Sequence, residues 1–146
     1  MKYIKFMFYC EILSGIWISD IDILNNMNFL KDKDISIILN CTEIIDFPDL
    51  NIEKIRLPFT SSQSDIKNLD RLASNYKRII SFIDSNMENN NILISCYNGK
   101  SISVLIMAIY LQHYSKLNKN EIITFLTNKS PDFHLWCDLE LFSEPP

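Results

Sequence analysis

Apolar and polar positions alternate along residues 11–18 with the two-residue period of a half-buried strand. The period changes over residues 22–30, where Ile23, Met27 and Leu30 fall on one side of a short helix. Residues 35–39 are a compact β-branched run, the composition of a buried strand, and residues 52–57 form another strand, stopped by Pro58. The longest helical signal spans residues 69–87: Leu69, Leu72, Ala73, Tyr76, Ile79, Ile80 and Ile83 recur at three, four and seven and predict one buried face. A short apolar strand at 92–94 leads through polar residues around Gly99 into the nearly all-apolar stretch 103–114, which predicts a buried helix. Asn118 stands three residues before Glu121, a capping-box spacing with asparagine in place of serine or threonine, and opens a helix through Asn128. Pro131 is expected to start a last helical segment reaching about Phe142. Strands and helices in this order predict an α/β fold, a central mixed β-sheet flanked by helices.

Composition narrows the class. The 146 residues carry no glycine/serine linker and no internal repeat, so one domain covering residues 1–146 is expected. Apolar residues make up 47% and charged residues 22%, and mean hydropathy is near zero, the balance of a globular chain. A net charge of −4 without a basic run excludes the electrostatic footprint of a nucleic-acid binder. The longest apolar helix-like run, residues 104–111, is far below the roughly 20 residues a membrane span needs. Residues 1–10 mix Lys2 and Lys5 with Ile4, Phe6 and Phe8 and lack the sustained apolar stretch of a signal peptide. Cys10, Cys41, Cys96 and Cys137 are scattered, and only His113 and His134 could join them, so neither a metal site nor a cofactor is expected. Reduced thiols in the cytoplasm are the corresponding expectation. Abundant Ile, Asn and Lys suggest an AT-rich, viral source, which would place the protein in host cytoplasm or a virion.

The chemistry concentrates at residues 92–103, Ile-Leu-Ile-Ser-Cys-Tyr-Asn-Gly-Lys-Ser-Ile-Ser. A loop joining a strand to a helix N-terminus turns successive backbone N–H groups into one concavity, where the helix dipole adds positive potential. Such a loop suits a phosphate, and its candidate contacts are Cys96, Tyr97, Asn98, Gly99, Lys100, Ser101, Ile102 and Ser103. Cys96, at its start, sits where those N–H groups favour a thiolate placed for in-line attack.

Cys96, Gly99 and Ser103 match three positions of the His-Cys-x-x-Gly-x-x-Arg-Ser/Thr pattern of cysteine-based phosphatases. Over residues 11–141 the chain resembles the dual-specificity phosphatases, small poxvirus-type members among them. Residues 12–19 (ILSGIWIS) resemble the first strands of that family, and residues 37–43 (IILNCTE) a characteristic inner strand. Residues 55–58 (IRLP) resemble the strand before its acid loop, and residues 108–111 (AIYL) the helix behind its phosphate loop. The resemblance implies a strand, phosphate loop and helix at residues 92–114, in a family whose activity is protein phosphatase. Three departures bear on that activity. The family arginine aligns with Ile102, the histidine before the cysteine with Ser95, and the general-acid aspartate with Thr60 or Ser61, the nearest carboxylate being Asp65. Losing a transition-state donor costs about 10²–10³ in rate, and losing a general acid about 10²–10⁴.

With these departures the resemblance implies a pseudophosphatase, a binding or scaffolding module for a protein partner such as a phosphoprotein or an active phosphatase. The alternatives are a weakly active phosphatase with Cys96 as nucleophile, helped by Lys100 and Asp65, and a structural, oligomerising protein with a vestigial loop. Plainer roles stand beside each residue. Cys96 could be a small buried hydrophobe, Lys100 a solvated lysine, Ile102 an extension of the apolar helix face, Ser103 a helix cap and Asp65 a helix N-terminal charge. His113 and His134 read as surface and packing residues, and Phe133, Trp136 and Phe142 as the packing face of a C-terminal helix.

Overall fold

A computed structural model of the chain describes residues 7–62, 65–133 and 135–146; the readings of residues 1–6 and of His134 lie outside them. The alternating run at the N-terminus is two strands, β1 (Tyr9–Leu13) and β2 (Ile16–Ser19), rather than one. Gly15, at φ +80°, turns the chain between them, and a side chain there would meet the Asn91 amide at 2.8 Å. The expected helix at 22–30 also divides. Asp20 caps a 3₁₀ turn (Ile21–Asn25), and Asn26 then caps α1 (Met27–Asp32) by accepting the Phe29 N–H at 3.0 Å. Two asparagines and two aspartates within seven residues offer competing caps, which is why one helical period yields two short elements.

β3 (Ile35–Asn40) and β4 (Glu53–Arg56) follow, then α2 (Ile66–Asn86), which buries Leu72, Tyr76, Ile79, Ile80 and Ile83. Ala73, expected on that face, is exposed: at about 100° per residue it falls just past the edge of the stripe. β5 (Asn91–Ser95) leads through the loop into α3 (Ile102–Tyr114), and α4 (Lys119–Lys129) opens with the capping box formed by Asn118 and Glu121. The helix expected from Pro131 does not form. Residues 131–132 make a turn, and among the described residues of this segment only Leu139–Phe142 wind, as a 3₁₀ turn capped by Asp138. Phe133 and Phe142 are nevertheless buried, and Trp136 packs at the core margin.

The sheet runs β1-β2-β5-β3-β4, with β1 antiparallel and the other pairs parallel, a central mixed β-sheet flanked by helices as the pattern predicts. One face carries Ile16, Ile18, Ile37, Leu39, Ile92 and Ile94 against α2, α3 and α4. The other carries Ile38 and Leu93 under the first 3₁₀ turn and α1. Helix α3 is enclosed from Ile102 through Leu111, which accounts for its unbroken apolar sequence. Among the described residues no helix is long and apolar enough to cross a membrane.

Candidate functional site

In-register pairing brings Ser19 of β2 and Asn40 of β3 level with Ser95 of β5, so the loop after β5 leaves the sheet at the carboxyl ends of its parallel strands. Cys96 N–H donates to Ser19 O at 3.1 Å, and Cys41 N–H to Ser95 O at 2.7 Å, fixing the base of the loop between its neighbours. Ser95 is buried, and its hydroxyl donates to Asp20 O at 2.9 Å, as does that of Ser19 at 3.0 Å. At the position before the cysteine the side chain therefore anchors the Asp20 peptide.

Cys96 is 1% exposed, and its Sγ lies 3.1 Å from Ser103 Oγ. This corrects the expected cap: α3 begins at Ile102 with Ser101 as its N-cap, and the Ser103 hydroxyl faces the thiol. Asn98 Oδ1 accepts from the Lys100 N–H at 2.9 Å and the Ser101 hydroxyl at 3.0 Å, with Cys96 Sγ at 3.8 Å. A side-chain oxygen of the loop thus already takes one of the backbone donors that a bound anion would seek. Gly99 sits at φ +72°, and a Cβ there would come within 2.6 Å of Asp20 N and 2.7 Å of Ser19 C. Lys100 Nζ is 3.0 Å from an Asp132 carboxylate oxygen and 4.9 Å from the centre of the Phe8 ring. Ile102 is 3% exposed and belongs to the core cluster. Tyr97 is half-buried.

Beside the loop, Thr60 and Ser61 precede α2. Asn68, fully buried, accepts from the Thr60 N–H at 2.8 Å and donates to Thr60 O at 3.2 Å and Ser62 O at 2.8 Å. Ser61 is exposed. Asp65 caps α2, accepting from the Lys67 N–H at 2.9 Å and the Thr60 hydroxyl at 3.2 Å, the helix N-terminal role expected of it.

Sequence patterns missed Asn68, an isolated polar residue on a helix face; its place on the buried stripe, four before Leu72, is the signal that could have found it. They also missed Asp20. Its carboxylate accepts from the Phe8 N–H at 2.8 Å while its own N–H donates to Phe8 O at 3.0 Å, tying the chain before β1 against Gly99. Burial pushes the Asp20 carboxyl above its ordinary value, partly offset by the N–H groups of Phe8, Ile23 and Asp22. Arg56 donates to Thr42 O at 3.0 Å and Ile45 O at 2.8 Å and lies over Phe47, holding the loop after β3. Burial, and secondarily Cys96, drive the Cys41 thiol well above its usual range, and burial with Asp138 pushes Cys137 to about 11. His113 stacks on Tyr76 at 6.0 Å and bonds Phe142 O, the packing role expected of it. No cluster of three metal-ligating side chains occurs among the described residues.

Comparison with known proteins accords with this geometry. Residues 18–139 match the family described as "Dual specificity phosphatase, catalytic domain". No curated protein matches the sequence significantly. Among solved structures the chain is similar to human DUSP28, with 12% identity and TM-score 0.78 over 92% of this chain and 92% of that one. It is also similar to DUSP15, with 18% identity and TM-score 0.76 over 94% and 85% of the two chains. A human tyrosine phosphatase-like serine/threonine/tyrosine-interacting protein superposes with TM-score 0.72, 14% identity, and coverage of 92% and 90%. At these identities the likeness establishes the fold, and the match over residues 18–139 establishes the family: the chain belongs to the dual-specificity phosphatases, by their catalytic domain.

Proposed function

We propose that this domain is a catalytically silent dual-specificity phosphatase that serves as a binding or scaffolding module for a protein partner, a phosphoprotein being the class its loop best suits. One observation carries the reading: Ile102, where the family pattern places arginine, is packed into the core at 3% exposure. A phosphate over Cys96 would meet backbone N–H groups and a helix N-terminus but no bidentate cation to follow its charge into the transition state. Lys100 is no substitute, because its ammonium is engaged by Asp132 and the Phe8 ring. Proton donation to a leaving oxygen would fall to the hydroxyls of Thr60 or Ser61, which are far too weakly acidic, while Asp65 serves its helix. The structural neighbour named as phosphatase-like and interacting is in keeping with a noncatalytic role.

The expected result is that wild-type protein hydrolyses an aryl phosphate no faster than Cys96→Ser. Cys96-dependent turnover near about 1 s⁻¹, within the range of ordinary enzymes, would overturn the reading. The Ser103 hydroxyl 3.1 Å from Cys96 Sγ favours the second reading, a weakly active phosphatase, and the same assay separates the two. Titration with phosphotyrosine and phosphothreonine peptides against their unphosphorylated forms tests whether the loop still takes a phosphoprotein.

A further inference from the structure

The side chain of Asn98 turns into the loop that carries Cys96. Its Oδ1 accepts from the Lys100 N–H at 2.9 Å and from the Ser101 hydroxyl at 3.0 Å, which uses both lone pairs of a carbonyl oxygen. Cys96 Sγ lies 3.8 Å from the same atom. Asn98 is otherwise exposed, so water would satisfy its amide outside the loop. Among the described residues Nδ2 has no hydrogen-bond partner, and Oδ1 alone draws the side chain inward.

An oxygen of an anion held over Cys96 needs the same surroundings: a loop N–H and a hydroxyl at hydrogen-bond length, with the thiol sulfur in contact. Asn98 Oδ1 meets all three conditions without carrying a formal charge. In this arrangement Cys96 is 1% exposed, so the thiol is closed to an incoming group. The backbone beside Asn98 has little freedom, because Gly99 is fitted closely against Asp20 N and Ser19 C. Freeing the donors therefore takes rotation of the Asn98 side chain rather than movement of the loop.

We infer that Asn98 is a built-in occupant of the anion cradle, its neutral oxygen standing where a phosphate oxygen would bind, and that an oxyanion enters the loop only by displacing it. The inference rests on the loop being the binding site of the module and adds what regulates that site. Apparent affinity is reduced to the fraction of molecules in which the side chain has swung out. A phosphate dianion regains that cost, because charge-assisted hydrogen bonds are roughly twice as strong as neutral ones. A neutral acceptor offers the donors nothing that the Asn98 amide does not already give. Asn98 thereby makes the loop discriminate a phosphorylated segment from its unphosphorylated form, although no arginine lines it.

The test titrates inorganic phosphate into the full chain and follows the backbone amide resonances of Lys100 and Ser101. Asn98→Ala, which removes the oxygen, is expected to bind phosphate about tenfold more tightly than wild type. Asn98→Asp, which keeps the oxygen and charges it, should bind more weakly than wild type. A side chain that only braced the loop would not send the two variants in opposite directions. Iodoacetamide should modify Cys96 faster in Asn98→Ala than in wild type, and phosphate should slow that reaction. In wild type, phosphate should shift the Asn98 side-chain amide resonance as the side chain leaves, a readout that needs no variant to fold. Equal or weaker binding by Asn98→Ala would overturn the inference and leave the binding module standing. Unchanged alkylation, or phosphate binding that leaves the Asn98 side-chain resonance unmoved, would do the same. No binding by wild type or by folded Asn98→Ala would overturn it together with the phosphoprotein as partner.

Discussion

Gly99 answers two constraints at once, a backbone in the left-handed region and an approach to the Asp20 peptide that leaves no room for a Cβ. Gly99→Ala is therefore expected to cost about 2–4 kcal/mol, combining left-handed strain with overpacking against rigid backbone, read as a lowered urea midpoint at unchanged slope. The position of Gly99 in the loop pattern was legible, because glycine three residues after a cysteine at a strand end announces a tight, anion-facing turn. That its crowding comes from Ser19, Asp20 and Phe8 was not, since those residues lie about eighty to ninety positions earlier and reach it through the β2–β5 pairing and the bonds of Phe8 to Asp20. Lys100 illustrates the same gap. Its type and place in the loop suggested a spare cation, but its charge is directed to Asp132 and the Phe8 ring, contacts that no local pattern encodes.

Caps and periods belong to single elements and were read with corresponding success. The capping box at Asn118 involves residues three apart, so spacing alone exposes it. Asn118→Ala should cost about 1 kcal/mol, because the exposed start of α4 can refill the lost acceptor with water. Asn68→Ala should cost more, about 2–3 kcal/mol, since it removes at once four part-buried hydrogen bonds to Thr60 and Ser62 made by a fully buried amide. It should also loosen residues 60–62, seen as faster amide exchange there. Thermal melts of the two variants side by side check the order. At two of the misjudged boundaries a tertiary constraint had overridden the period, whereas the helix at 22–30 was divided by its own local caps. The hairpin at Gly15 requires β1 to fold back on β2, and residues 131–133 and 135–138 do not wind into the expected helix, with Phe133 set edge-on to Phe8 at 5.7 Å.

At the scale of the whole molecule, the chain before β1 is joined to the loop through Asp20, and this makes stability respond to pH. Burial raises the Asp20 carboxyl above its ordinary value of 3.8, so the folded state holds that proton more tightly than the unfolded one. Its contribution is therefore full below the ordinary value and is lost as pH rises through the raised one. Asp138 acts oppositely: the Glu140 N–H and then Lys119 lower its carboxyl, and its contribution is lost as pH falls through the lowered value. Urea midpoints taken from pH 3 to 7 should show the gap between wild type and Asp20→Asn narrowing as pH rises, whatever fixed cost the amide brings; a gap constant with pH would contradict the coupling. By itself the sequence determined the α/β class and the strand, loop and helix around Cys96, because periodicity and residue identity are local, while Ile102, Ser95 and Thr60 or Ser61 standing where the family has arginine, histidine and acid is what the resemblance implies. Only the tertiary structure decided that Ile102 lies in the core, that Asn98 takes up loop donors, that Asn68 ties down residues 60–62 and that β4 stands at an edge of the sheet. Those properties depend on which distant segments pack together, and burial and pairing exist only once the sheet has brought them into contact.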